Sequence, residues 1–268
     1  KNFKIGDKVI LHWKIGKGIN SKTPVYSYRE KKVNAGWVTT FNDHAVVSEN
    51  RITKLPKNLN MKQGVVFGCA LTTAYGVVHN DAKVSKDDKL LIIGSGNIGL
   101  PMVLFSKFIG CKKIVVVEKA KSKLILSKKF GADLCIQFKN ENIFKKQIKK
   151  IFNNGMPNKI IENTGNTKMI EMSYDILNNS GTLVLVGVPH FKKKVCINTL
   201  PLHMGKNLKG SHGGGVNPSL DIPAIAKLIK GKLKINKLIG NVYKLSDINK
   251  VIDNMRLGKE ILKPIIKF

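Results

Sequence analysis

Leu90-Leu91-Ile92-Ile93-Gly94-Ser95-Gly96-Asn97-Ile98-Gly99 is the stretch that decides the fold. Four consecutive apolar residues read as a strand buried on both faces, as in a parallel sheet. The glycines that follow repeat as GxGxxG at the point where a strand would pass into a helix. The first glycine permits a tight turn, the second clears space for a pyrophosphate, and the third lets helix and strand pack closely. A helix over 97–109 would present free N–H groups and the positive end of its dipole to the phosphates. Gly94, Ser95, Gly96, Asn97, Ile98 and Gly99 are therefore the predicted phosphate-binding turn of a dinucleotide site.

Working outward, the same grammar repeats. Apolar runs at 114–117, 134–136, 160–161 and 183–186 read as further buried strands, and 121–130, 142–152 and 167–178 as helices between them. Strands alternating with helices over short links predict a doubly wound α/β domain. Glu118 closes the second strand, close to the spacing of about 20 residues at which an acid accepts the ribose hydroxyls. Its charge would repel a 2′-phosphate and so favours NAD over NADP, although the adjacent Lys119 offers a phosphate some compensation. S-adenosylmethionine enzymes use a similar acid, but without the full glycine pattern or β-rich flanks.

The flanks differ in character. Residues 9–13, 36–41 and 45–47 read as strands, with 14–32 as a polar loop or lobe. After a glycine-rich segment at 210–215, an amphipathic helix is predicted over 218–230. A second is predicted over 247–257, capped by Ser246 or Asp247 and ended by Gly258. Residues 264–266 read as a last strand. The resulting organisation is 1–69 and 213–268 around a central 70–212 domain.

Composition narrows the class. The 268 residues carry 47 Lys plus Arg against 17 Asp plus Glu, a net charge of +30. Arg29, Arg51 and Arg256 are the only arginines, whereas phosphate and base recognition favours arginine forks. The scattered lysines therefore read as a solvated basic surface rather than a nucleic-acid footprint. Hydrophobic residues at 43% suffice for a core, against global disorder. No apolar run approaches the roughly 18 residues of a membrane span. Cys69, Cys111, Cys135 and Cys196 stand far apart, which suits a reducing cytoplasmic compartment.

Gly68-Cys69-Ala70-Leu71-Thr72-Thr73-Ala74-Tyr75-Gly76, followed by Gly94–Gly99, resembles the zinc-dependent medium-chain alcohol dehydrogenases. Gly6-Asp7-Lys8-Val9, Phe41–Val47, Glu162–Asn166, Val186-Gly187-Val188-Pro189 and Gly210–Gly215 fall in that family's order. The resemblance implies a Rossmann doubly wound parallel sheet inserted into a β-rich GroES-like catalytic domain, here incomplete. It also implies NAD-linked oxidation of a primary alcohol or polyol, with zinc as Lewis acid.

By the same resemblance, Cys69 is one of three protein ligands of a single catalytic zinc, and Thr73 lies against the nicotinamide. Val186 and Val188 would face the carboxamide, Lys123 the adenosine ribose, and Thr164 and Asn166 the cofactor groove. Lys263, one residue out of register, is the nearest match to a phosphate-reaching cation. The other two zinc ligands belong to a segment upstream of Gly6, so the chain reads as an N-terminally truncated fragment that binds NAD without catalysis. None of the six histidines has the expected ligand context, and residues 11–36 lack the cysteines of a structural zinc. A homodimer through the cofactor domain is implied. The alternatives are a zinc-free quinone-reductase-like member of the same superfamily, or a non-catalytic basic binding protein.

Overall fold

A computed structural model describes residues 2–153, 155–233 and 235–268. The chain forms two compact units, Lys1–Thr72 with Val216–Phe268, and Thr73–Gly215.

The first unit opens with β1 (Val9–Leu11), β2 (Val25–Tyr28), β3 (Lys31–Asn34) and β4 (Ile52–Lys54). β1 pairs antiparallel with β4, and β2 with β3. The β2–β3 hairpin occupies the stretch read as a loop, and no strand forms at 36–41 or 45–47. Two side chains account for the difference. The hydroxyl of Tyr26 accepts the Val46 N–H at 2.9 Å, a bond that a sheet partner would otherwise make. Trp37 is engaged by the guanidinium of Arg51, 5.2 Å from the ring centroid, rather than by a facing strand. The hairpin turns on Arg29 and Glu30, both with positive φ. Such a turn is usually signalled by Asn-Gly or Asp-Gly, neither of which is present.

Helix α1 (Met61–Phe67) starts at Asn60, whose side chain accepts the Gln63 N–H while the Gln63 side chain accepts the Asn60 N–H. Helix α2 (Ala70–Gly76) follows in the chain.

The second unit runs β5 (Lys89–Ile93), α3 (Gly99–Ile109), β6 (Lys113–Glu118), α4 (Lys121–Lys129), β7 (Leu134–Gln137) and α5 (Glu141–Ile151). It continues β8 (Lys159–Glu162), α6 (Thr167–Asp175), β9 (Thr182–Leu185), α7 (Leu200–His203) and β10 (Asn207–Gly210). All six strands are parallel, in the order β10-β9-β8-β5-β6-β7. This is the order of the doubly wound dinucleotide-binding sheet, with the chain reversing direction beside β5. Leu91 lies between Val115 and Ile160, and all three are fully buried. Phe144 and Ile148 of α5 and Met169 and Met172 of α6 pack in the same core. Beyond the predicted elements, β10 adds a sixth strand.

The first unit resumes with α8 (Pro218–Ile229), β11 (Ile239–Lys244), α9 (Ile248–Arg256) and β12 (Lys263–Lys267). β11 and β12 pair in parallel across a register shift. Asp247 precedes α9 but makes no side-chain cap; its carboxylate accepts the Lys244 N–H at 3.3 Å instead. Among the described residues no helix is long and apolar enough to cross a membrane.

Candidate functional site

The site is built at the carboxyl ends of β5, β6 and β8. Gly94 leaves β5 with φ +84° and donates its N–H to the Val117 carbonyl of β6 at 2.9 Å. A side chain at Gly99 would run into the Gly94 carbonyl, so only glycine lets α3 start this close to the turn. Gly96 differs from both: a Cβ there meets nothing within 4 Å, which leaves open space beside the turn. Ser95 is wholly buried, yet its hydroxyl has no hydrogen-bond partner. Its N–H donates to Oε2 of Glu118 at 3.1 Å.

Glu118 ends β6, and its other oxygen accepts the Lys119 N–H at 2.7 Å and the Ala120 N–H at 3.3 Å. Backbone donors thus fix the carboxylate beside the glycine turn. A pocket of about 500 Å³ opens here, lined by Gly94, Glu118, Lys119, Phe138, Thr164 and Asn166, with Met169 and Met172 on its wall.

The fold gathers Gly94, Glu118, Thr164 and Asn166 around one cavity. Lys123 is not on the wall; Lys119 is, while the Lys123 carbonyl accepts the Ser127 hydroxyl at 2.8 Å within α4. Val186 lies just past β9 and donates its N–H to the Glu162 carbonyl at 2.8 Å. Val188 is 89% exposed, and Thr73 is buried. In the other unit, Cys69 follows α1 with an exposed thiol, and its carbonyl accepts the Thr72 hydroxyl at 3.0 Å. Lys263 begins β12, opposite Ile239.

Three features escape sequence reading. Phe138, Met169 and Met172 give the pocket an apolar wall, but in sequence they are ordinary core positions. Asn163 reaches back with Nδ2 to the carbonyls of Ile93 and Gly94, at 3.3 and 3.2 Å, and leaves its buried Oδ1 without a partner. Glu162, last in β8, is wholly buried and accepts the N–H groups of Thr164 and Gly165 and the Thr164 hydroxyl. Burial pushes its carboxyl above the usual range, against the opposing pull of those donors.

The turn fits a dinucleotide: an open face at Gly96, an orphaned buried hydroxyl at Ser95, and a fixed carboxylate for a ribose. The residues do not fit a zinc ion in the same way. Among the described residues no group of three or more His, Cys, Asp or Glu stands close enough to hold a metal.

Comparison with known proteins bears on the family and the fold. The model of the family described as zinc-binding dehydrogenase matches residues 97–231. An S-(hydroxymethyl)glutathione dehydrogenase from Escherichia coli is 28% identical over 86% of this chain and 63% of its own length. The chain thus spans less than two thirds of that relative. A benzyl alcohol dehydrogenase from Acinetobacter calcoaceticus superposes with TM-score 0.83 at 26% identity, covering 100% of this chain and 79% of that one. A zinc-binding dehydrogenase from Sinorhizobium meliloti, solved with NADP bound, has TM-score 0.69 at 21% identity, covering 80% and 62%.

Proposed function

Since the chain belongs to the zinc-binding dehydrogenase family, we propose that it carries the NAD-binding domain of an alcohol dehydrogenase, together with part of its catalytic domain. Gly94–Gly99 hold the pyrophosphate through the free N–H groups that open α3. Glu118 accepts the hydroxyls of the adenosine ribose, and Thr164 and Asn166 form the facing wall. Bound NAD would supply the hydride acceptor for oxidation of a primary alcohol or polyol.

One observation carries this reading: the Glu118 carboxylate, held by the Ser95 and Lys119 N–H groups, lies on the wall of the same pocket as Gly94. A carboxylate in that place disfavours a second phosphate by like-charge repulsion. The NADP-bound relative makes NADP the competing cofactor to test.

Val186 and Val188 are assigned to the nicotinamide carboxamide, Thr73 to the ring, Lys123 to the ribose and Lys263 to the phosphates. Cys69 is assigned as one metal donor of the whole protein. The described residues offer no completed metal site, so no step is assigned to a metal. A homodimer in the cytoplasm is the assembly proposed.

Calorimetric titration of the 268-residue chain with NAD and with NADP tests the cofactor assignment. NAD is expected to bind more tightly. Glu118→Ala is expected to weaken NAD about tenfold and to narrow the preference, in line with the loss of hydrogen bonds to a charged group. Equal binding of the two cofactors, or a silent Glu118→Ala, rejects the role of the carboxylate. In the whole protein, Cys69→Ala is expected to lower zinc content, read by elemental analysis.

A further inference from the structure

Glu162 makes no contact with open solvent, faces no cation among the described residues, and is not on the pocket wall. A buried carboxylate without a cation is expensive to maintain, and an apolar residue would suit the end of a core strand better. Its partners suggest why it is there. Oε1 accepts both the N–H of Thr164, at 2.8 Å, and the Thr164 hydroxyl. Oε2 accepts the Gly165 N–H at 3.0 Å.

The hydroxyl bond fixes the rotamer of Thr164. With Oγ1 turned inward, Cγ2 lies against the phosphate turn, 3.0 Å from where a Cβ of Gly94 would be. The Gly165 bond seats that residue against the backbone of Val188, whose carbonyl oxygen is 2.7 Å from the site of a Gly165 Cβ. Between the two, Asn163 ties its side chain to the carbonyls of Ile93 and Gly94. One carboxylate therefore holds the segment 163–165, and that segment braces the first glycine of the turn.

We infer that Glu162 is a positioning residue for the dinucleotide. Its ionised carboxylate holds the Thr164–Gly165 turn so that Thr164 and Asn163 fix Gly94 in its phosphate-binding conformation. This deepens the function proposed above and rests on it. Only the ionised form accepts all three donors, because a protonated carboxyl or an amide has one acceptor oxygen fewer and brings a donor of its own. Among the described residues no charged group acts on Glu162; its neighbours are Ile93 of β5 in the sheet, Thr164, Gly165 and the backbone of Val186 and Gly187.

The test is NAD binding by the 268-residue chain across the acidic and neutral range, read by calorimetry, for wild type, Glu162→Gln and Glu162→Asp. Circular dichroism melts of each variant run in parallel. Wild type is expected to bind NAD at neutral pH and to lose affinity as pH falls through the elevated carboxyl pKa. Glu162→Gln, which keeps the shape, is expected to bind about tenfold more weakly at neutral pH and to lack that acid limb. Glu162→Asp, which keeps the charge on a shorter arm, is expected to recover part of the affinity and the acid limb. Hydrogen exchange at Gly94 and Thr164 is expected to quicken in Glu162→Gln without nucleotide.

A folded Glu162→Gln that binds NAD as wild type does, with the same pH profile, overturns the positioning role and leaves the dinucleotide reading standing. A variant that does not fold is replaced by Thr164→Val, which removes one donor to Oε1; an unchanged affinity there also overturns the role. A wild-type chain that binds no NAD overturns both.

Discussion

The two units of this chain solve the same problem, burial of short apolar segments, in opposite ways. In the Thr73–Gly215 unit, the six strands follow one another with a helix between, and the apolar runs of β5, β6 and β8 are buried on both faces. In the other unit, the strands that pair are far apart in sequence or lie largely in solvent. β1 finds β4 across some 40 residues of intervening chain, and β2 and β3 pair locally but stay mostly exposed. Burial that arises from local alternation can be read from the sequence. Burial that depends on a distant partner cannot be read without knowing that partner.

The comparison can be broken at several points, starting with the largest effect. Gly99→Val forces a side chain into the Gly94 carbonyl. It is expected to cost about 4 kcal/mol or more of stability and to abolish NAD binding, read by urea denaturation and calorimetry. Next, Leu91→Ala in the sheet core should cost about 2–5 kcal/mol. Val25→Ala in the hairpin, where Val25 is 63% exposed, should stay within about 0.5 kcal/mol. Denaturation curves that made the two equal would erase the contrast.

Acid acts on both units. His12 in the first and His79 in the second have their pKa values lowered by burial. The folded state then binds fewer protons than the unfolded one, so this stability is present above the ordinary value of 6.5 and is lost as pH falls below it. In neutral His12, Nδ1 donates to the Lys14 carbonyl at 2.8 Å and Nε2 is free to accept from the Thr53 hydroxyl, 3.0 Å away. Thermal melts from pH 7.5 down to about pH 5 should fall, and His12→Gln should flatten part of that slope.

The smallest effect is chemical. Burial pushes the Cys111 thiol up to about 11, while Cys69 and Cys196, one in each unit, are exposed. Mass spectrometry after brief iodoacetamide treatment should find Cys69 and Cys196 alkylated first and Cys111 last.

Much of the sheet was legible because its signals reinforce one another. The glycine turn, the acid ending β6 and the apolar runs each require the others. The cavity was legible only at Gly94, Glu118, Thr164 and Asn166, whose residue types carry chemical information. Phe138 and Met169 gave no such signal, because a residue lining a pocket and one filling a core obey the same hydrophobic rule. Glu162 was visible as part of a motif, but its work depends on a carboxylate bending back over its own following turn. In the first unit, Gly36–Phe41 and Ala45–Val47 have the composition of strands and form none: the Arg51 guanidinium lies over Trp37 in the one, and the Tyr26 hydroxyl takes the Val46 N–H in the other.

The lysine surplus has a consequence of its own. Ion pairs among the described residues engage Lys54, Lys107, Lys145 and Arg256, all at the surface. With 47 basic residues and 17 acidic ones, most positive charges have no counterpart anywhere in the chain. Folding then compresses a positive cloud into a small radius, and the compact state works against its own field. Dissolved anions become part of what holds the molecule together: dilute buffer should loosen it, moderate salt should tighten it, and polyanions should condense onto it.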